Sequence, residues 1–175
     1  MPAKPTKYGA KIFWLCDATN GYALNSILYS GKQEERVVGL AKSVVLQLCR
    51  PYFNSKRNIT VDRYFTSFPL CTELLNNGLT LLGTVMSGRR DVPTQLRDVK
   101  QREVFSTKVL YYHQHHVLLL SYVPKKSKNV MMMSSSHQAM SPVPGREDSL
   151  PDVIQQYNLT KGGVDAMDSR IEDFT

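Results

Sequence analysis

The sequence predicts a mixed α/β fold: a sheet flanked by helices that carries a small β-rich stretch. Three observations lead there. Strand-like and helix-like hydrophobic patterns alternate through residues 8–88. Short β-like segments with tight polar joints follow between residues 103 and 135, and a helix-forming stretch begins at Lys161. At 175 residues, with 42% hydrophobic and 21% charged side chains, the chain can bury a core of one compact domain, and this usage excludes a disordered polymer, a collagen-like repeat and a disulfide scaffold.

Residues 8–16 form an apolar, aromatic run that stops at Asp17, and the turn-forming stretch 18–21 leads into a second strand over Tyr22–Tyr29. An antiparallel hairpin is expected, with an acid at the end of its first strand. Between Glu34 and Leu48, apolar residues Val37, Val38, Leu40, Ala41, Val44, Val45 and Leu48 recur at helical spacing, and Arg50-Pro51 stops the helix. The β-branched run Asn58–Asp62 delivers a second acid to a strand end. Ser67 is placed to cap a helix over residues 68–77, with Pro69 tolerated in its first turn and Gly78 ending it. Leu79–Met86 is another strand. Segments Glu103–Tyr112, His116–Val123 and Asn129–Ser135 read as a small meander, and the Ser- and Pro-rich residues 134–152 as surface loop.

Charge narrows the partners. The formal net charge is +7 and the isoelectric point about 9.4, a balance that favours polyanions, nucleic acid first. Cys16, Cys49 and Cys71 show no zinc or disulfide spacing and are expected to be reduced. Neither an apolar leader segment nor a membrane-length apolar run is present, the longest purely apolar run being Val117–Leu120. His113, His115 and His116 sit on a hairpin, where alternation points neighbours to opposite faces, so surface roles are expected for them.

Asp17 and Asp62 both end apolar strands. If those strands are neighbours in one sheet, the two carboxylates meet at one edge, and a divalent cation relieves their repulsion. Asp165 and Asp168 are three apart, hence on one helical face, and can join them. Oxygen-only donors suit Mg²⁺ or Mn²⁺ rather than Zn²⁺, and two such ions activate a water or a 3′-hydroxyl for phosphodiester chemistry. Read singly, an acid at a strand end is an ordinary turn residue and an acid in a first helical turn complements the helix dipole.

The flanking words are more specific. Leu15-Cys16-Asp17 with Gly21-Tyr22, Asn58-Ile-Thr-Val-Asp-Arg-Tyr-Phe-Thr-Ser67 with Pro69-Leu70, Gly83-Thr-Val85 and Thr160-Lys-Gly-Gly-Val-Asp-Ala-Met-Asp168 together resemble the catalytic core of the piggyBac family of DNA transposases and the domesticated proteins derived from them. The resemblance runs from about Tyr8 to Asp168. It implies an RNase H-like mixed sheet with flanking helices, with residues 1–88 as the first part of the core, 89–152 as a β-rich insertion domain and 153–175 as the truncated start of the last core helix. It also implies Asp17, Asp62 and Asp165 as catalytic acids, with Asp168 as an additional metal ligand, and two Mg²⁺ or Mn²⁺ ions. DNA becomes the partner, at TTAA-type targets and through hairpin intermediates, with a nuclear location and a possible homodimer. Arg63, Arg89, Arg90, Lys125, Lys126 and Lys128 are the candidates for DNA phosphates.

Measured against that family, the chain is expected to lack the N-terminal DNA-binding and dimerisation region and the Cys-rich zinc-binding end domain. Little transposition by this chain alone is expected, since about 1 Å of misplacement at an active site costs on the order of 10²-fold in rate. Retained acids favour a nuclease-like core. The alternative is a non-catalytic DNA-binding or protein-interaction module derived from a transposase; a hydrolase of small phosphate esters ranks third.

Overall fold

The computed structural model describes residues 11–29 and 39–172. The first residues of the first expected strand, 8–10, and the opening turn of the first expected helix, 34–38, lie outside the described residues. Strand β1, Lys11–Cys16, and β2, Ala23–Tyr29, form the expected antiparallel hairpin, with Ile12 opposite Leu28 and Leu15 opposite Asn25. Gly21 makes the turn possible: its φ of 68° is left-handed, and its N–H donates to the Asp17 carbonyl at 2.9 Å. Helix α1, Leu40–Cys49, buries Val44, Val45, Leu48 and Cys49; at Arg50-Pro51 it tightens into a single 3₁₀ turn and ends.

Strand β3, Asn58–Val61, and β4, Thr80–Thr84, are parallel, joined by helix α2, Phe68–Asn76. Ser67 caps α2 by accepting the Leu70 N–H at 3.3 Å, and Gly78 closes it at φ 67°. After a short helix α3, Thr94–Arg97, come β5, Thr107–Tyr112, β6, Val117–Tyr122, and β7, Val130–Ser134. These three strands form the expected antiparallel meander, and they also extend the core sheet, because β7 pairs antiparallel with β4. The sheet order is β3-β4-β7-β6-β5.

Two hydrophobic layers explain why β6 and β7 read as continuous apolar runs. Leu81, Leu119, Met131 and Met133 point to one face, toward Val45, Cys49, Leu70 and Leu74 of α1 and α2. Their neighbours Leu82, Leu118, Leu120 and Met132 point to the other, toward Val153 and Ile154. All six residues of β6 are buried. With both faces covered, alternation gives way to unbroken hydrophobicity.

Two expectations are corrected here. Asp152, expected in the loop, and residues 153–160, expected as part of the last core helix, form a separate helix α4, Asp152–Thr160, which precedes the final helix α5, Gly163–Glu172. Pro151 starts α4, and only Val153 and Ile154 are fully buried, so its apolar period is too sparse to read from sequence. The second correction concerns neighbours. β1 and β2 form a sheet of their own, and β1 is not hydrogen-bonded to β3. No helix among the described residues is long and apolar enough to cross a membrane.

Candidate functional site

Each acid is carried by a locally determined turn. Asp17 follows β1, and its Oδ1 accepts the N–H groups of Thr19 at 2.8 Å and Asn20 at 3.2 Å, a side-chain turn typical of aspartate. Asp62 follows β3. Its carbonyl gathers the N–H groups of Phe65 and Thr66 at 3.0 and 3.1 Å and the Thr66 hydroxyl at 3.0 Å, which turns the chain sharply toward α2. Its carboxylate, Oδ1 accepting the Arg63 N–H at 2.6 Å, is left on the surface. Thr66 is wholly buried and sits against Gly83, where any Cβ would lie 2.3 Å from the Thr66 Oγ1 and 2.8 Å from the Val61 carbonyl. Glycine in the Gly-Thr-Val word is therefore a steric requirement of the Asp62 turn.

Asp165 and Asp168 stand on the exposed side of α5, Asp165 in its first turn. Glycines again set the approach. A Cβ on Gly163 would lie 3.0 Å from the Asp17 carbonyl, and one on Gly21 3.0 Å from the Ala166 Cβ, so the helix start packs directly on the turn that follows β1. Sequence reasoning missed a second tie: the Thr60 and Thr160 hydroxyls lie 2.8 Å apart and bridge β3 to the end of α4.

Between β1 and β3 lies a groove. One part, a cavity of about 420 Å³, is lined by Phe13, Leu15, Val61, Phe65, Lys161 and both Asp62 and Asp165. The adjoining part, about 320 Å³, is lined by Asp17 together with Arg57, Asn58, Thr160, Lys161 and Gly163. Asp17 thus faces residues at the start of β3 while Asp62 stands at its end, and the two strand acids do not share one sheet edge. Asp168 lies close enough to Cys16 that its charge, after burial, helps raise the thiol above its ordinary pKa. Asp17, Asp62 and Asp165 line the groove, and Asp168 stands near Cys16, which lines the same part as Asp17. In donor chemistry the acids suit a hard divalent cation, and among the described residues none of them is in a salt bridge. Among the described residues, however, no group of three acids, histidines or cysteines stands close enough to hold a metal ion.

The basic candidates fall at one end of the larger sheet, that of Asp62. The parallel pairing of β3 with β4 and the antiparallel pairing of β7 and β6 put the end of β3, the segment after β4 and the β6–β7 loop on the same rim. Arg63, Arg89 and Asn129 line a single open cleft there, and Arg90, Lys125, Lys126 and Lys128 are exposed nearby in chain terms. Arg89 is partly neutralised by Asp91, its Nε lying 3.4 Å from Oδ1. Behind the rim, the buried Ser121 hydroxyl lies 2.8 Å from both the Leu96 carbonyl and Asn129 Oδ1 and accepts from Arg102 at 2.6 Å. Burial lowers the Arg102 pKa from its ordinary value, and three of its hydrogen bonds run to Ser106 and Ser121. His113 and His115 lie on the exposed β5–β6 turn, as expected of surface residues.

A sheet covered on both faces, with acids on a groove and cations on a neighbouring rim, is consistent with a transposase-derived core, and comparison with known proteins supports that class. The whole chain, residues 1–175, matches the family described as Transposase IS4. Among solved structures it is similar to piggyBac transposase, determined as a synaptic complex with hairpin DNA, at 35% identity and a TM-score of 0.87, over 98% of this chain and 36% of that one. The chain belongs to this transposase family, with its likeness among the piggyBac-type members. It spans little more than a third of the length of that relative.

Proposed function

We propose that the chain is the part of a piggyBac-type transposase that handles the DNA backbone at the reacting phosphodiester, its chemistry being hydrolysis and strand transfer. The observation that supports this reading is the placement of Asp17, Asp62 and Asp165 on the lining of one groove, with the Arg63–Arg89 cleft on the rim of Asp62. In this reading Asp17, Asp62, Asp165 and Asp168 are the ligands available to Mg²⁺ or Mn²⁺, which when bound would supply Lewis-acid activation of the attacking oxygen, although no three of them stand together in this structure. The arginines and lysines position phosphates and release counterions, which makes binding salt-dependent. DNA as partner also implies a nuclear place of work.

One observation favours a second reading. The acids are not gathered into a three-ligand group, which suits a DNA-binding module without catalysis. A titration separates the two. Mg²⁺ or Mn²⁺ is expected to raise the melting temperature of the wild-type chain and not that of an Asp17→Asn, Asp62→Asn double variant. Equal shifts in both proteins remove the cation site and leave the non-catalytic reading.

A further inference from the structure

Tied to the arginine cleft through Asp91 is a group of rings that none of the chemistry above uses. Phe68, the first residue of α2, lies with its ring 5.7 Å from that of Tyr112 at an interplanar angle of 31°. His115, from the turn after β5, completes the group at 4.7 Å from Tyr112 and 5.5 Å from Phe68. Tyr112 is 46% exposed, His115 is exposed, and the Tyr112 hydroxyl donates to Gln114 Oε1 at 3.2 Å, which fixes the ring in place. A single exposed aromatic is ordinary, but two exposed rings clustered on Phe68, itself partly buried against the core, are not.

The location supplies the ligand chemistry. The Phe68 N–H donates to Asp91 Oδ2 at 3.1 Å, and Asp91 Oδ1 faces the Arg89 Nε at 3.4 Å. Arg89 in turn lines the cleft with Arg63. A chain of contacts therefore links one guanidinium group of the cleft, that of Arg89, suited to phosphates, through Asp91 to the backbone of Phe68 and so to a set of flat rings, suited to bases. Duplex DNA offers phosphates but keeps its base faces stacked inside, so the rings add nothing to its binding. An unpaired nucleotide offers both groups.

We propose that Phe68, Tyr112 and His115 form a stacking platform for an unpaired base of single-stranded or unwound DNA whose backbone is held by Arg63 and Arg89. The proposal rests on the reading that the chain engages DNA. It is tested on the full chain with a fluorescent single-stranded oligonucleotide containing 2-aminopurine, alongside the same sequence as a blunt duplex. Tyr112→Ala is expected to weaken single-strand binding roughly tenfold and to abolish the quenching of 2-aminopurine, while duplex affinity stays within about twofold. Tyr112→Phe keeps both signals, and His115→Ala, at an exposed position, gives a smaller loss in the same direction. Arg89→Ala weakens both forms and lowers the salt slope by about one contact.

Wild-type affinity and quenching retained in Tyr112→Ala would overturn the platform, as would equal losses on single strand and duplex. Absence of salt-dependent binding to either form by the wild type would instead remove the DNA reading beneath it.

Discussion

Replacing Gly83 by alanine tests how the Asp62 turn is built. The substitution adds one methyl group in the middle of β4, and no left-handed conformation is involved, so the cost is steric. That methyl would lie 2.3 Å from the Thr66 Oγ1, 2.8 Å from the Val61 carbonyl and 2.9 Å from the Val61 Cγ2. The Val61 carbonyl is fixed by the parallel register that sets Val61 beside Gly83. The Thr66 hydroxyl can retreat only by leaving the Asp62 carbonyl, its partner at 3.0 Å, within a wholly buried site. Overpacking costs about 1–3 kcal/mol, and a buried hydroxyl deprived of its partner adds about 1 kcal/mol or more. A total of roughly 2–4 kcal/mol corresponds, at about 2–4 °C per kcal/mol for a chain of this size, to a melting point lower by roughly 5–15 °C. Calorimetry or urea unfolding measures it. Gly88→Ala, with nothing within 4 Å of the added carbon, is the control and is expected to leave stability within about 0.5 kcal/mol. A Gly83→Ala, Thr66→Ala double variant should lose less than the sum of its parts, because the shortest contact has gone. A Gly83→Ala protein as stable as the wild type, with additive double-variant energies, would refute the steric account of the turn.

Three further expectations concern the groove and the core. Gly21→Ala and Gly145→Ala both place a side chain at positive φ, 68° and 74°, but only Gly21 also meets the Ala166 Cβ, at 3.0 Å. Both should lose about 1 kcal/mol from backbone strain, and Gly21→Ala should lose more and increase hydrogen exchange in α5; equal losses and unchanged exchange would deny that α5 packs on this turn. Burial pushes the Cys49 thiol up to about 12 and Cys71 to about 11 from an ordinary value of 9.0. A raised folded-state pKa leaves stability intact below pH 9, where both states are protonated, and removes it as pH rises above 9 and the unfolded thiols ionise first, at about 1.4 kcal/mol per pH unit for each thiol, up to about pH 11 for Cys71 and about pH 12 for Cys49. In native protein an alkylating reagent should modify partly buried Cys16 well before the other two cysteines, and simultaneous modification of all three would contradict their burial.

Local chemistry was legible in the sequence, and long-range pairing was not. The β1–β2 hairpin, the Ser67 cap and the Gly78 stop each depend on residues within a few positions, and each is found where the sequence predicts it. The pairing of β7 with β4 joins Thr84 to Met132, and no local pattern records that choice. The same holds for the groove. Asp17 and Asp62 both end apolar strands as read, but whether β1 and β3 become neighbours is decided across 40 or more residues of chain, and here they belong to separate sheets. Lys161 was read only as part of a motif, yet it lines both halves of the groove beside the acids. Phe68 and Tyr112 were unremarkable singly; sheet geometry brings their rings together.

The Ser121 hydroxyl behind the rim divides the loop after β6 into two kinds of position. Asn129 is committed inward, its amide donating to the Leu96 carbonyl at 3.0 Å, whereas Lys125, Lys126 and Lys128 are exposed at the tip. Substitutions at the three lysines should therefore be absorbed locally, leaving the interior undisturbed, while a change at Asn129 unfastens the segment containing Leu96 from the strand behind it. Evolution or an engineer could retune the grip of this tip on a polyanion many times over without rebuilding its anchor.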